Sequence, residues 1–267
     1  KLTNYNTLIN NGIINFNDTL THKIDIEVSD IYQNTSNLSF KVKSTNNPFL
    51  MRCPLPKDTI NTPFRFDRAN IFKNDNIEIN MKAFSLYEPI MFNYKNTDTL
   101  EGIFGQVHQI HYNNTPVHKY YKLSLKSTVP DTLKDKVYIA TTDMKNNYWY
   151  IGGKWKNGFL HTKTREFGNF CIIADTISPE IRGVNIFPGK KLKAQSTIKL
   201  TITDKESGIK SFRGEIDDKW ILLDYDHKKN LVRFDIDNNI SKGEHTFTLK
   251  VIDNVGNTTN YKAKFTY

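Results

Sequence analysis

The chain is expected to be all-β and folded as packed sandwiches, on three features of its 267 residues. No apolar stripe with a 3.6-residue period runs for helical length. Short apolar–polar alternations recur instead, which is the period of a strand with one buried face. Between them lie clusters of Asn, Asp and Gly, residues that accept turn geometry, at spacings typical of sandwiches.

The elements follow in order along the chain. Ile24, Ile26 and Val28 alternate with Asp25 and Glu27 and form the first half-buried strand. Asn157-Gly158 separates Lys154-Trp155-Lys156 from Phe159-Leu160-His161. Both turn residues readily take positive φ, so a two-residue type I′ hairpin is expected there. Asp175-Thr176-Ile177-Ser178-Pro179 reads as a linker: the proline has no N–H for a central ladder and pushes its predecessor to extended geometry. A domain boundary is placed at that point. Beyond it, Ile198, Leu200 and Ile202 alternate with Lys199 and Thr201, and Phe247, Leu249 and Val251 alternate with Thr248 and Lys250.

An internal repeat organises the two ends. His22 to Asp30, with Asn34-Thr35-Ser36-Asn37 after it, matches His245 to Asp253, with Asn257-Thr258-Thr259-Asn260 after it, at the same spacing. Each copy reads as strand, Asp-initiated turn, strand, and the Asp carboxylate caps the turn. Seven strands of an immunoglobulin-like domain need about 90 to 100 residues, so the first copy is short and its earlier strands are expected upstream of Lys1. The expected architecture is tandem immunoglobulin-like β-sandwiches flanking a middle β-sandwich. Residues 1–46 are the C-terminal strands of an incomplete domain, 47–178 the middle sandwich and 179–267 the C-terminal domain.

Composition narrows the function classes. A hydrophobic content of 38% with 12% aromatics suits packed cores rather than disorder. The net charge of +9 attracts polyanions, yet lysines are spread evenly. Lys190-Lys191 and Lys228-Lys229 are assigned to polar turns, not to an aromatic platform for bases. A solvated surface is expected, with no nucleic-acid partner. Cys53 and Cys171 are too few for a disulfide framework or a four-cysteine zinc site and are taken as structural, with a bridge between them as the alternative. No apolar run approaches the roughly 18 residues of a membrane span. Without an initiator methionine or a signal peptide, the chain reads as processed or excerpted.

Candidate chemistry is sparse. His108 and His111, with His118 nearby, stand at a spacing that places the first two rings on opposite faces of a strand, with no third converging ligand; surface or half-buried histidines are expected. Asp204, Glu206 and Ser207-Gly208 in one loop, with Asp253 and Asn257 in another, offer oxygens to calcium if the loops meet, but turn capping is the favoured reading. No catalytic or metal-binding residue is assigned. Trp149 and Trp155 are the candidate glycan contacts, against the commoner role of aromatics as cross-strand pairs. No nucleophile elbow or phosphate loop occurs, and Asp217-Asp218 reads as a turn. Asp-Thr followed by Leu or Ile occurs at Thr19, Thr59, Thr99, Thr132 and Thr176, where composition alone predicts roughly one. Two readings stand: an acceptor motif of bacterial envelope O-glycosylation, or a plain turn marker.

Several stretches resemble a known family. Ser207-Gly208-Ile209-Lys210-Ser211-Phe212-Arg213-Gly214, Gly243-Glu244-His245-Thr246 and Asp253-Asn254-Val255-Gly256-Asn257 resemble the C-terminal region of lysostaphin/LytM-type envelope peptidases. Ile77-Glu78-Ile79, Val117-His118-Lys119-Tyr120-Tyr121, Ile151-Gly152-Gly153 and Phe167-Gly168-Asn169-Phe170 resemble the β-rich middle of the same proteins. The resemblance implies zinc endopeptidases that cut peptidoglycan cross-links through H-x-x-x-D and H-x-H motifs. Neither motif occurs here. The implied role is therefore a noncatalytic accessory or docking region located in the bacterial periplasm or at the outer-membrane surface. Any zinc is left to a catalytic domain upstream. The implied partners are envelope proteins or peptidoglycan, with peripheral outer-membrane association and no transmembrane segment. The alternative is a structural subunit of an outer-membrane or periplasmic assembly whose peptidase domain is degenerate or absent.

Overall fold

The computed structural model of the chain describes residues 14, 16, 18–44, 60–97, 99–145, 147–193, 197–236 and 240–267. Two compact units divide it, residues 1–57 and 58–267. In the first, β1 (Thr21–Ser29) and β2 (Thr35–Lys43) form an antiparallel hairpin with Ile24 opposite Phe40 and Ile26 opposite Leu38. Ile26, Val28, Leu38 and Phe40 are all exposed.

The second unit contains two sandwiches. The middle one is built from β3 (Ile60–Phe64), β4 (Asn70–Lys73), β5 (Ile77–Met81), β6 (Ile90–Thr97), β7 (Val107–Ile110), β8 (Tyr121–Lys126), β9 (Val137–Thr142), β10 (Tyr148–Gly152), β11 (Lys154–Lys156), β12 (Phe159–Thr164) and β13 (Gly168–Ala174). They form a sheet in the order β10-β9-β13-β7-β6-β3 facing another in the order β11-β12-β8-β5-β4. Along β5, Ile77, Ile79 and Met81 are buried while Glu78 and Asn80 are half-buried. Phe64 stacks on Phe92 with ring centroids 4.2 Å apart in the same core. Each such fully buried aliphatic or aromatic side chain contributes about 1.5–3 kcal/mol.

The run Phe170-Cys171-Ile172 in β13 has no alternation because both faces of the strand are covered. Phe170 and Ile172 enter the main core. Cys171 joins Val107, Tyr138 and Ala140 in a second cluster, against which Val255 of the C-terminal sandwich packs. Cys171 is a buried free thiol whose pKa burial pushes up to about 12, which makes it an inert core residue. Cys53, and with it the expected alternative bridge, lies outside the described residues.

The C-terminal sandwich comprises β14 (Glu180–Gly183), β15 (Lys190–Lys191), β16 (Thr197–Thr203), β17 (Ile209–Ile216), β18 (Lys219–Ile221), β19 (Asp224–Asp226), β20 (Leu231–Asp235), β21 (Glu244–Asp253) and β22 (Thr258–Thr266). Its sheets run β14-β16-β20-β19 and β15-β22-β21-β17-β18, the strand order of an immunoglobulin-like sandwich. Ile198, Leu200, Ile202, Phe247, Leu249 and Val251 fill its core. Lys190-Lys191 departs from the expected polar turn. It pairs parallel to Phe265-Thr266 at the edge of the second sheet, held by Gly189 N–H donating to Lys264 O and Leu192 N–H to Thr266 O, both at 2.8 Å.

The predicted hairpin is present: β11 and β12 pair across Asn157 (φ 51°) and Gly158 (φ 77°). Asp217 and Asp218, at φ 51° and 61°, likewise turn β17 into β18. The repeat also folds as two matching hairpins. Asp30 N–H donates to Asn34 O at 3.0 Å, and Asp253 N–H donates to Asn257 O at 3.1 Å. Gln33 and Gly256 hold the same left-handed position, at φ 66° and 87°.

Candidate functional site

The two sandwiches of the second unit meet where β13 leaves the middle one. Asp175, the residue after β13, is buried. Its carboxylate accepts from Ile177 N–H at 2.9 Å through Oδ1 and from Ser207 N–H at 3.2 Å through Oδ2. Asn257, at the turn between β21 and β22, sends its side-chain amide across the boundary to Asp175 O (3.1 Å) and Ile177 O (3.2 Å). Thr259 Oγ1–H donates to Pro179 O. The expected linker is thus a change of sheets, but a hydrogen-bonded one, since the carbonyls of the buried Asp175 and Pro179 need donors.

Three carboxylates converge at this junction. One oxygen each from Asp175, Asp204 and Asp253 lies within 4.8 Å of the others. Asp204 Oδ1 accepts from Gly208 N–H at 2.6 Å, and Asp253 Oδ1 accepts from Val255 and Asn257 N–H at 2.9 and 2.8 Å. The expected capping is therefore real, and it uses one oxygen of each. The other oxygens, Asp204 Oδ2 and Asp253 Oδ2, are buried without a partner, as is Ser207 Oγ. Burial raises the Asp204 pKa, and the charges of Asp175, Asp253 and Glu206 raise it further. Tyr138, also raised chiefly by burial, is pushed in the same direction by Asp175, Glu206 and Asp204. Asp175, Asp204, Glu206 and Asp253 thus crowd negative charge at the junction.

The histidines are placed differently from the expectation. His108 and His111 are both buried, because β7 is an inner strand and His111 sits just past its end in a left-handed turn at φ 50°. His108 Nδ1 lies 2.8 Å from the Tyr94 hydroxyl, which also bonds Asn96, and Asn93 N–H donates to His111 Nδ1 at 3.3 Å. Burial lowers both to about 4, so both are neutral near pH 7. His118 is exposed beside Tyr87. The structure does not bring the three rings together.

Trp149 and Trp155 belong to different sheets. Trp149 lies on β10, is 54% exposed and lines a cleft of about 710 Å³ with Tyr112, Tyr150 and Phe167. Trp155 packs on the main core, and its Nε1–H donates to Lys134 O at 2.9 Å. Of the five Asp-Thr positions, Thr19, Thr99, Thr132 and Thr176 are exposed, and Thr59 lies outside the described residues. In two of them the Asp side chain caps the amide two residues on: Asp18 to Leu20 (3.0 Å) and Asp175 to Ile177 (2.9 Å). That is the geometry of a turn marker.

One surface had no sequence signal. Phe84, exposed and at φ 61°, donates its N–H to Phe66 O and faces the Phe66 ring edge-on at 6.5 Å. Lys119 Nζ lies 5.4 Å from the Phe84 ring, and the Arg165 guanidinium 5.7 Å from exposed Tyr120. A bulky residue held at positive φ costs roughly 1–3 kcal/mol and persists only where its surroundings impose it.

A family model described as a Zu5-like domain matches residues 61–175, which are the middle sandwich. No curated protein sequence matches the chain. Among solved structures, the endo-β-1,4-mannanase from Thermotoga petrophila is 17% identical with a TM-score of 0.29, over 34% of this chain and 20% of that one. Fibronectin(III)-like modules of CbhA from Clostridium thermocellum are 14% identical with a TM-score of 0.28, over 55% of this chain and 85% of that one. The chain thus spans about a fifth of the mannanase it matches, and its middle sandwich is similar to a Zu5-like domain.

Proposed function

We propose that this chain is a noncatalytic accessory region of the bacterial envelope, which positions or docks a peptidase-like domain of the lysostaphin/LytM type whose parent acts on peptidoglycan. The observation that carries this reading is the hydrogen-bonded junction. Asn257, Thr259 and Asp175 tie two sandwiches into one compact unit, the property required of a stiff positioning arm. The histidines support it, since His108 and His111 are buried and neutral and His245 is engaged by Asp217 at 2.6 Å. Peptidoglycan contact is assigned to Trp149, the more exposed of the two tryptophans, rather than to Trp155.

In a parent polypeptide carrying a peptidase domain, deletion of residues 47–267 is expected to impair localisation or assembly while cleavage of soluble cross-linked peptides persists. Loss of intrinsic cleavage would sink a purely docking role. The isolated chain is expected to sediment with purified sacculi without releasing muropeptides, and Trp149→Ala to weaken sedimentation more than the surface change Trp220→Ala. Equal binding by both variants removes the glycan assignment.

A second reading, a structural subunit of an envelope assembly, is favoured by the Phe66, Phe84, Tyr120, Lys119 and Arg165 surface. Exposed aromatics beside cations have the composition of protein-interface hot spots. Phe84→Ala should abolish co-purification of a stable envelope partner while leaving the thermal midpoint near that of the parent. Unchanged co-purification excludes that surface.

A further inference from the structure

We infer that the junction between the middle and C-terminal sandwiches is a calcium site, formed by Asp175 from one sandwich and by Asp204, Ser207 and Asp253 from the other. The chain carries its own controls. Among the described residues the motif Asp-x-x-x-Asn closes four turns, at Asp30 and Asn34, Asp143 and Asn147, Asp226 and Asn230, and Asp253 and Asn257. In the first two the asparagine side chain returns to its own aspartate: Asn34 Nδ2–H donates to Asp30 Oδ2 at 2.7 Å, and Asn147 Nδ2–H to Asp143 Oδ2 at 2.8 Å. Both carboxylates are then fully used, and both lie on exposed turns.

The exposed Asp226 turn lacks that return and caps Lys228 and Lys229 N–H through Oδ1; the Asp253 turn also lacks it, and is buried. Asn257 Nδ2 points away to Asp175 O and Ile177 O, and Asp253 Oδ2 is left with no partner in a residue that is 0% exposed. Ser207, 1% exposed, holds a second unpartnered oxygen, and its own N–H donates to Asp175 Oδ2 beside it. Among the described residues, six buried side-chain polar atoms lack a partner, and three of them belong to Asp204, Ser207 and Asp253. No lysine, arginine or histidine among the described residues pairs with any of the three aspartates.

Burying adjacent carboxylates and leaving their oxygens unpaired is among the costliest arrangements a fold can keep, unless a cation satisfies them. The donor set identifies that cation. Every candidate ligand is a hard oxygen, which excludes the nitrogen and sulfur ligands zinc prefers and fits calcium or magnesium. Oxygens up to 4.8 Å apart are bridged by one ion at calcium's ligand distance of roughly 2.3–2.6 Å, whereas magnesium at about 2.0–2.1 Å needs a tighter cage and keeps several waters. Because Asp175 follows the last strand of the middle sandwich while Asp204 follows β16 and Asp253 ends β21 of the C-terminal one, the ion joins the two.

The test uses the full chain, stripped with chelator and dialysed. Calcium is expected to raise the thermal midpoint saturably by several degrees, as any ligand selective for the folded state does, and magnesium to raise it less. Terbium, a calcium mimic, should show luminescence on tyrosine excitation through Tyr138, and calcium should displace it. Asp204→Asn keeps the Gly208 cap and removes a buried charge. It should fold with an unchanged or higher midpoint in chelator, yet bind calcium at least tenfold more weakly. Asp226→Asn, on an exposed turn, should respond like the parent. Absence of a saturable calcium shift and of terbium luminescence in the parent chain overturns the site, as does an undiminished response in Asp204→Asn.

Discussion

His108 shows how one buried side chain sets a pH dependence. Its folded pKa, lowered to about 4 by burial, lies below that of the unfolded chain near 6.5. The unfolded state therefore takes up a proton between pH 6.5 and 4 that the folded state refuses, and stability falls as the pH drops through that window, by at most about 3 kcal/mol. His111, lowered to about 4 in the same way, acts over the same window, so urea unfolding at pH 7 and pH 4.5 should show a slope that His108→Gln roughly halves; an unchanged slope places the proton elsewhere. His245 works in the opposite sense. Its bond to Asp217 raises its pKa, so its contribution is complete below about pH 6.5 and fades as pH rises through the raised value. The histidine spacing was legible from the residues alone, but not the burial. A period-2 argument assigns faces and cannot say that β7 is an inner strand whose sheet places His108 against Tyr94.

The repeated hairpin separates what a local motif fixes from what its neighbours add. Both copies form the same strands and the same Asp-capped turn, as the spacing from His22 to Asn37 and from His245 to Asn260 predicts, whereas the left-handed position at Gln33 and Gly256 was not readable there. Burial differs completely. Leu249 is 1% exposed in the C-terminal core, whereas the matching Ile26 is 44% exposed. Leu249→Ala should therefore cost about 2–5 kcal/mol in denaturant unfolding, and Ile26→Ala well under about 1 kcal/mol. Comparable losses would mean that the β1–β2 hairpin packs in solution. Gly183 gives a sharper local test. A Cβ there would lie 2.1 Å from Ile186 O, the carbonyl that accepts the Tyr261 hydroxyl at 2.7 Å. Gly183→Ala should lower stability by about 1–3 kcal/mol through overpacking, and a neutral effect would show that β14 can shift.

The middle and C-terminal sandwiches share a junction of crossing hydrogen bonds and the packing of Val255 against the Tyr138 and Cys171 cluster. Calorimetry of the chain should show them unfolding in one transition. Asn257→Ala removes the amide that satisfies Asp175 O and Ile177 O, and should split that transition or lower it by about 1–3 kcal/mol, chiefly the cost of leaving the buried Asp175 carbonyl without a donor; a single unshifted transition would deny the junction its coupling role. The residues by themselves determined the all-β class, the Asn157-Gly158 hairpin and the repeat, because period and turn chemistry are local, and they marked Asp175–Pro179 as the place where the chain changes sheets. Only the tertiary structure decided that Asp175 is buried, that Asn257 turns from its own aspartate to the linker, and that Asp175 joins Asp204 and Asp253. Those facts depend on which loops a folded chain brings within a few ångströms, and no spacing along the sequence encodes that distance.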